Sequence, residues 1–427
     1  MQRKDRKRTL KLVSYEEALK KLREAIGVRQ ISLETVPVES CVGRVLAEDI
    51  ISEVDIPKTN IAIVDGYALR SEDSPTTSHG NPVTLRIVGK LYPWSSLNDA
   101  QISKGQTAYV TCGAPIPKGA DAVVMVENTV LRDEEIELRS PVRPGEGVAK
   151  AGEDIRKGSL ILKRGSVLRP QDVGVLAGVG LKEVKVLKKP VVAVIATGNE
   201  LFELSRRDPA KIADNYALIV SNLIWELGGA PIRLGISPDD LSEIKRKISE
   251  ALEKADIIVT IGGCSVGEKD LVPDAVNSFG KPGIVFHGIK VKPGRVTGFG
   301  VIREKPIVML PGLISSTMAG FYTILAPLIC LYIGFDGHSL LPKISAKINQ
   351  DLEGDMRPIH RFIPVSVRQF DGTYIAEPIH GGASSLGRFV KSNGFILIPP
   401  RKALVKGENV DVTLFSREEF THLIKET

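Results

Sequence analysis

The chain has 427 residues, 43% of them hydrophobic and 25% charged, the balance of a soluble globular protein with room for two to four domains. A net charge of +6 is modest for this length, and no basic stripe with interleaved aromatics runs along the chain, which excludes a nucleic-acid partner. The four cysteines and six histidines show no metal or redox spacing, which argues against a zinc site and for a reducing compartment, the cytoplasm.

Lysine and arginine dominate Arg3 to Lys11. With no apolar core behind the charges, this is a solvated basic tail over residues 1–12 rather than a secretory signal. Ser14-Tyr15-Glu16-Glu17 is a capping box, and Leu19, Leu22 and Ile26 give the helix that follows an apolar stripe. Strand-like segments come next, around Glu34 to Val38 and Arg44 to Ile50. Over residues 55–153, Gly and Pro break up short strand candidates at Val83–Val88, Thr107–Val110, Ala122–Val126 and Glu135–Leu138. That pattern predicts a β-rich lobe. After Gly152-Glu153-Asp154 come turns at Gly158 and Gly165 and a helical run from Pro170 to Ala177. This segment returns the chain to its N-terminal region, giving a discontinuous linker domain of residues 13–54 and 154–187.

Residues 188–336 predict a doubly wound α/β domain. Val191–Ile195, Ile232–Ile236, Asp256–Ile261 and Gly283–Ile289 are short apolar runs of the kind buried on both faces of a parallel sheet. Asp214 stands at an N-cap position, and Gly228-Gly229 stops the helix it opens. Ser237 reads as the next N-cap, with Pro238 at the first helical position and the helix running to Ala255. Such sheets bind ligands beyond the carboxyl ends of their strands. Ser315 to Gly334 is apolar enough for a membrane span, but Gly320, Pro327 and its place after an α/β unit make it a buried helix, with no membrane partner. Residues 337–427 carry evenly spaced strand candidates (Lys343–Ile348, Ile359–Val367, Thr373–Pro378, Gly394–Ile398, Asn409–Leu414) that suggest a small β-barrel.

The strand-end turns carry the chemistry. Gly262, Gly263 and Gly267 let amides approach an anion beside Ser265, and the turn closes on Glu268 and Asp270, oxygen donors suited to a divalent cation. The same spacing also serves a plain strand-to-helix turn. Lys292 and Arg295 bracket a rigid Pro-Gly turn, as an oxyanion clamp or as a solvated hairpin. Asp239 and Asp240 fit either a helix start or a metal site. Asp65 and Asp154 lie in glycine-flanked turns that a carboxylate commonly closes.

As an ordered set, these turns resemble the molybdopterin molybdotransferase family, the MoeA type that includes the gephyrin E domain. The motifs are Asp65-Gly66-Tyr67-Ala68, Thr111-x-Gly113-Ala114-Pro115 through Val124, Gly152-Glu153-Asp154, Thr197-Gly198-Asn199-Glu200, Gly262-Gly263-Cys264-Ser265-Val266-Gly267-Glu268-x-Asp270, Lys292-Pro293-Gly294 and Leu310-Pro311-Gly312. The resemblance implies a homodimer with active-site clefts shared between subunits. The implied reaction inserts molybdate, or tungstate, into adenylated molybdopterin, with Mg²⁺-dependent hydrolysis and release of AMP. It also implies a molybdopterin adenylyltransferase as partner.

By motif, Thr197, Glu200, Gly262, Gly263, Ser265, Gly267, Pro311 and Asp270 would hold the pterin phosphate and the hydrolysis site. Asp239, Asp240 and Asp270 would hold the metal ion, with Asp270, Glu200, Asp240 and Lys292 as catalytic groups. Lys292 and Arg295 would take the oxyanion, joined by Arg361 and Ser384 of the barrel. Asp65, Thr111 and Asp154 would come from the partner subunit. The chain departs from the family pattern at Ile61-Ala62-Ile63-Val64, which replaces Asn-Ser-Ala-Met, at Ala149, which replaces an arginine, and at Arg295-Val296, which replaces Lys-Pro. These losses motivate the alternative, a catalytically impaired paralogue that carries molybdopterin or serves as a scaffold.

Overall fold

The computed structural model describes residues 10–27, 32–78, 80–97, 101–203, 205, 208–335 and 341–416. Most of the expected basic tail, the start of the expected barrel at 337–340 and residues 417–427 lie outside the described residues. Chain contacts divide the molecule into two compact units, residues 35–186 and the residues on either side of them.

Helix α1 (Tyr15–Ile26) starts as its capping box predicts, with the Ser14 side chain accepting a hydrogen bond from the Glu17 amide at 3.1 Å. Its apolar face does not join residues 35–54, as the expected linker domain required. Val13 bridges Ile289, and Ala18 and Leu22 share a core with Ile289, Phe299 and Phe362. The helix therefore belongs to the unit that contains the C-terminal half of the chain.

Within residues 35–186, six strands form the lobe sheet: β1 (Gly66–Leu69), β2 (Val83–Leu91), β3 (Gln106–Val110), β4 (Ala122–Met125), β5 (Thr129–Arg132) and β6 (Glu135–Leu138), in the order β4-β1-β3-β2-β6-β5. The sequence pattern missed β1 because all four of its residues are buried, which erases the alternation that marks a half-exposed strand. β1 lies between β3 and β4, and a Cβ on Gly66 would overlap the Val124 carbonyl. A second core in this unit joins Val38, Leu46, Leu168 and Val184 to Leu176 of helix α2 (Pro170–Gly178).

The other unit is built on a mixed sheet. Its elements are β7 (Val191–Thr197), α3 (Asn215–Glu226), β8 (Ala230–Ser237), α4 (Leu241–Lys254), β9 (Ile257–Ile261), α5 (Val272–Asn277), β10 (Gly283–His287), β11 (Gly298–Ile302) and β12 (Lys305–Leu310). The strand order is β8-β7-β9-β12-β11-β10. The first four strands are parallel. β10 was expected among the parallel strands but is an antiparallel edge against β11, which in turn pairs antiparallel with β12. The reason is the connection: the turn-bearing stretch between β10 and β11 contains no crossover helix, and a parallel return needs one. Ser237, expected to cap α4, is instead the last residue of β8, and the cap is Asp240.

After β12, one apolar stretch crosses the interior from Ile314 to Tyr332, and 83% of its most apolar window is buried inside the protein. It comprises α6 (Ile314–Gly320), a π-turn over Phe321–Leu325 and α7 (Ala326–Tyr332). Pro327 has no N–H to continue the α pattern, and the Thr323 hydroxyl donates back to the Ala319 carbonyl at 2.6 Å. Five further strands, β13 (Lys343–Ile348), β14 (His360–Phe370), β15 (Thr373–Pro378), β16 (Gly394–Ile398) and β17 (Asn409–Leu414), pair in the order β14-β15-β13-β17-β16. β16 closes back on β14, so the ring is a barrel with no free edge. The barrel is not independent of the sheet. Its Phe362, Phe395 and Phe415 pack on Tyr322 of the π-turn, in the same core as β7 and β9.

Candidate active site

From β7 the chain crosses to β8 on one side and then returns to β9 on the other. A crevice opens at such a reversal, beyond the carboxyl ends of the strands. Here it is a cavity of about 780 Å³, within the size range of small-molecule sites. The ends of β7, β9 and β12 all reach it, through Thr197-Gly198, Gly262-Gly263 and Pro311-Gly312.

These three turns are in direct contact. A Cβ on Gly262 would stand 2.7 Å from the Thr197 carbonyl oxygen, and one on Gly263 would stand 2.8 Å from the Thr197 hydroxyl. Both glycines also have positive φ, 90° and 60°, so the turn needs glycine for its backbone and for its neighbours. A Cβ on Gly312 would lie 3.4 Å from the Gly262 Cα. The Thr197 hydroxyl donates to the Ile261 carbonyl at 3.2 Å, tying β7 to the end of β9. Asp270 closes the glycine-rich loop by accepting the Gly267 amide at 2.7 Å. Behind the loop, the Cys264 thiol is pushed up to about 12, mainly by burial and then by Asp270, so it stays protonated. His287 Nε2 meets the Cys264 carbonyl at 2.6 Å and fixes the loop from the far side.

Of the expected residues, Thr197, Glu200, Asp239, Gly262, Gly263, Ser265, Gly267, Asp270, Pro311 and Ser384 line this one cavity. Ser384 reaches it because the Ser315 amide at the start of α6 donates to the Ala383 carbonyl at 3.1 Å. Asp239 is bracketed to Asn199, each accepting the other's amide at 3.2–3.3 Å.

Asp240, expected as a catalytic and metal-binding group, does not line the cavity. Its carboxylate accepts the Ser242 and Glu243 amides at 2.9 and 3.1 Å and caps α4, and the Ser242 hydroxyl, which also donates to it, holds its pKa below the usual carboxylate range with help from these amides. Lys292, Arg295 and Arg361 also lie outside the lining. Lys292 and Arg361 are register partners on adjacent strands, and Arg295 follows in the next turn, beside Val296, which does line the cavity. Asp65, Thr111 and Asp154 belong to the other compact unit. There the Asp65 carboxylate accepts the Cys112 amide at 2.7 Å, and the Thr111 hydroxyl is buried with no hydrogen-bond partner among the described residues.

The motifs did not single out Asp214. It was legible as the α3 cap, and its carboxylate does accept the Ala217 amide at 3.2 Å. The structure adds that it lines the cavity and also an adjoining polar one with Glu203 and Arg233. Burial raises its pKa, and Glu203 adds to the effect while the Ala217 amide and Arg233 oppose it. The signal for it was the polar triplet Asp214-Asn215-Tyr216 at a helix start facing strand ends, where a helix N-terminus favours an anion.

Among the described residues, no group of three or more His, Cys, Asp or Glu side chains converges to hold a metal ion. Asp239 and Asp270 nevertheless face the same cavity with Glu200 and Glu268. This all-oxygen set fits a hard cation that takes only one or two carboxylates and fills its shell with phosphate oxygens and water.

Known proteins resemble this chain over most of its length. The sequence profile of the MoeA N-terminal region (domain I and II) matches residues 13–180, that of a probable molybdopterin binding domain matches 193–330, and that of the MoeA C-terminal region (domain IV) matches 356–415. The molybdopterin molybdenumtransferase of Bacillus subtilis is 31% identical over 398 residues, 91% of each chain. A putative molybdopterin biosynthesis protein of Methanocaldococcus jannaschii is 30% identical over 90% of this chain and 92% of its own. The crystal structure of a molybdopterin biosynthesis MoeA protein from Pyrococcus horikoshii superposes with a TM-score of 0.81 at 35% identity, covering 95% of this chain and 100% of that one.

Proposed function

This chain belongs to the MoeA family of molybdopterin molybdenumtransferases, and on that premise we propose that it delivers molybdate or tungstate to adenylated molybdopterin in molybdenum cofactor biosynthesis. Water cleaves the phosphoanhydride, AMP leaves, and the metal passes to the dithiolene. The observation that carries this reading is the meeting of three glycine-containing strand-end turns and several carboxylates on one cavity at the sheet's reversal point.

In this reading the Gly262, Gly263 and Gly267 amides and Ser265 cradle the pterin phosphate. Asp239 and Asp270 would hold Mg²⁺, and the ion would supply charge neutralisation for cleavage of the phosphoanhydride. Lys292, Arg295 and Arg361 draw the oxyanion to the cavity edge, and Ser384 and Pro311 border it. Two copies assemble so that Asp65, Thr111 and Asp154 of one serve the cavity of the other. The four cysteines, all free thiols, suit the cytoplasm, where a molybdopterin adenylyltransferase would supply the substrate.

Single-turnover conversion of adenylated molybdopterin with Mg²⁺ and either oxyanion tests the proposal. AMP release coupled to metal insertion, lost in Asp270→Asn, is expected. Ile61 and Ala62, which stand where the family pattern has Asn and Ser, favour a second reading, a molybdopterin carrier. Tight binding with no AMP released under either oxyanion would replace the enzyme with that carrier.

A further inference from the structure

We infer that Trp94, on the lobe, is a stacking platform for a planar heteroaromatic ring of the substrate. The residue lies outside every motif that carries the family resemblance. β2 ends at Leu91, and the next four residues fold into a turn closed in both directions. The Tyr92 amide donates to the Ser95 hydroxyl at 3.0 Å, and the Ser95 amide donates to the Tyr92 carbonyl at 2.9 Å. This turn lays the Tyr92 and Trp94 rings face to face, with centroids 5.1 Å apart and planes 7° apart. Trp94 remains 82% exposed. Among the described residues Tyr92 is the ring stacked against it, and it covers one face of the indole. The other face is held flat and ready before any ligand arrives, so little ordering is lost on binding.

The position of the platform points to its ligand. Pro93, between the two rings, packs on Gly113, where a Cβ would come within 3.4 Å of its Cγ. The Thr111 amide donates to the Leu91 carbonyl at 3.2 Å. The ring pair is therefore built onto the Thr111-Cys112-Gly113 turn, the same turn that holds the unpartnered Thr111 hydroxyl and the Asp65 carboxylate. An aromatic face carried on the turn whose Cys112 amide the Asp65 carboxylate accepts matches a flat heterocycle with polar edges. Aromatic side chains grip such rings by stacking, with little dependence on which ring it is. The adenylated substrate carries two, adenine and the pterin. This inference rests on the reading that Asp65 and Thr111 face the substrate.

Trp94 and Trp225 are the two tryptophans of the chain, so Trp225→Phe leaves Trp94 as the reporter in an enzyme expected to turn over like its parent. That protein is titrated with AMP, with molybdopterin and with adenylated molybdopterin while its fluorescence is followed. Saturable quenching is expected, by AMP if adenine stacks and by molybdopterin if the pterin does. Trp94→Ala should raise KM for the adenylated substrate about ten- to a hundredfold, the range that loss of one base–aromatic stack gives, and Trp94→Phe should restore most of it. An emission that ignores all three ligands, or an unchanged KM in Trp94→Ala, in an enzyme that still releases AMP, overturns the platform and leaves the proposed reaction standing. A Trp94→Ala protein that loses only its self-association, at unchanged affinity per assembled site, also overturns it. Absence of both ligand binding and AMP release in the parent protein would sink the platform and the reaction together.

Discussion

Asp240 and Asp270 are both carboxylates in the strand-end turns, yet they hold different things. Asp240 is committed to two amides at the start of α4, whereas Asp270 faces the cavity and holds one amide of the glycine-rich loop. Asp270→Asn keeps an oxygen for the Gly267 amide and removes the charge. It should lower AMP release by about a hundredfold or more if the carboxylate serves the metal-assisted step. Asp240→Ala should lower Tm by a few degrees through loss of the cap while costing far less activity than Asp270→Asn. A reversed order in the two rates would return Asp240 to the chemistry. Asp214 gives a pH signature. Burial raises its pKa, so the unfolded chain gives up this proton first, and stability falls as pH rises from the ordinary carboxylate value of about 3.8 through the raised one. Asn caps a helix as well as Asp does. Asp214→Asn should therefore raise Tm at neutral pH, with the gain shrinking to nothing near pH 3–4; an equal shift at every pH in a thermal scan would refute this origin.

Among the elements, α1 and β14 meet through a histidine. His360 is buried, its Nε2 stands 3.3 Å from the Glu16 carboxylate, and Tyr15 meets it edge-on with centroids 5.4 Å apart. Burial lowers its pKa more than Glu16 raises it. The unfolded state then binds the proton more readily, and stability is lost as pH falls below the ordinary imidazole value of about 6.5. His360→Gln should flatten the pH dependence of Tm between about 5 and 7, a range carboxylates alone would not reproduce. The same elements show what could be read from the chain beforehand. The capping box of α1, the parallel strands β7 and β9 and the barrel strands were legible because each has a local signature, a cap, an apolar run or a turn spacing. The partner of α1 was not legible, since an apolar stripe states that a face is buried and not against what. The direction of β10 was not legible for a similar reason: a buried run looks alike in parallel and antiparallel neighbours. At the site, the glycines and Asp270 were readable from spacing. The division between Asp239 and Asp240 was decided by which carboxylate points along the axis of α4, a three-dimensional fact two adjacent letters cannot carry.

For the molecule as a whole, the barrel and the mixed sheet form one body because they share a core. Phe395 stacks on Phe362 at 4.5 Å and meets Tyr322 at 5.0 Å, in the cluster that includes Val192, Val259 and Leu310. Phe395→Ala should destabilise this body by about 3–5 kcal/mol, the usual loss for a buried aromatic. Hydrogen exchange should quicken in β9 and β14 together, while amides in β1 and β3 of the 35–186 unit keep their protection. Faster exchange confined to the barrel would show that it melts alone. A last consequence follows from the contact of Thr197, Gly262 and Gly263 beneath the cavity. Thr197 leaves neither glycine room for an added methyl, so neither glycine can be the first to change. A lineage that altered one would pass through a crowded intermediate before the others could compensate. Mutual confinement of this kind acts as a historical lock, and it explains how these short words stay readable in a chain that shares only about a third of its residues with its relatives.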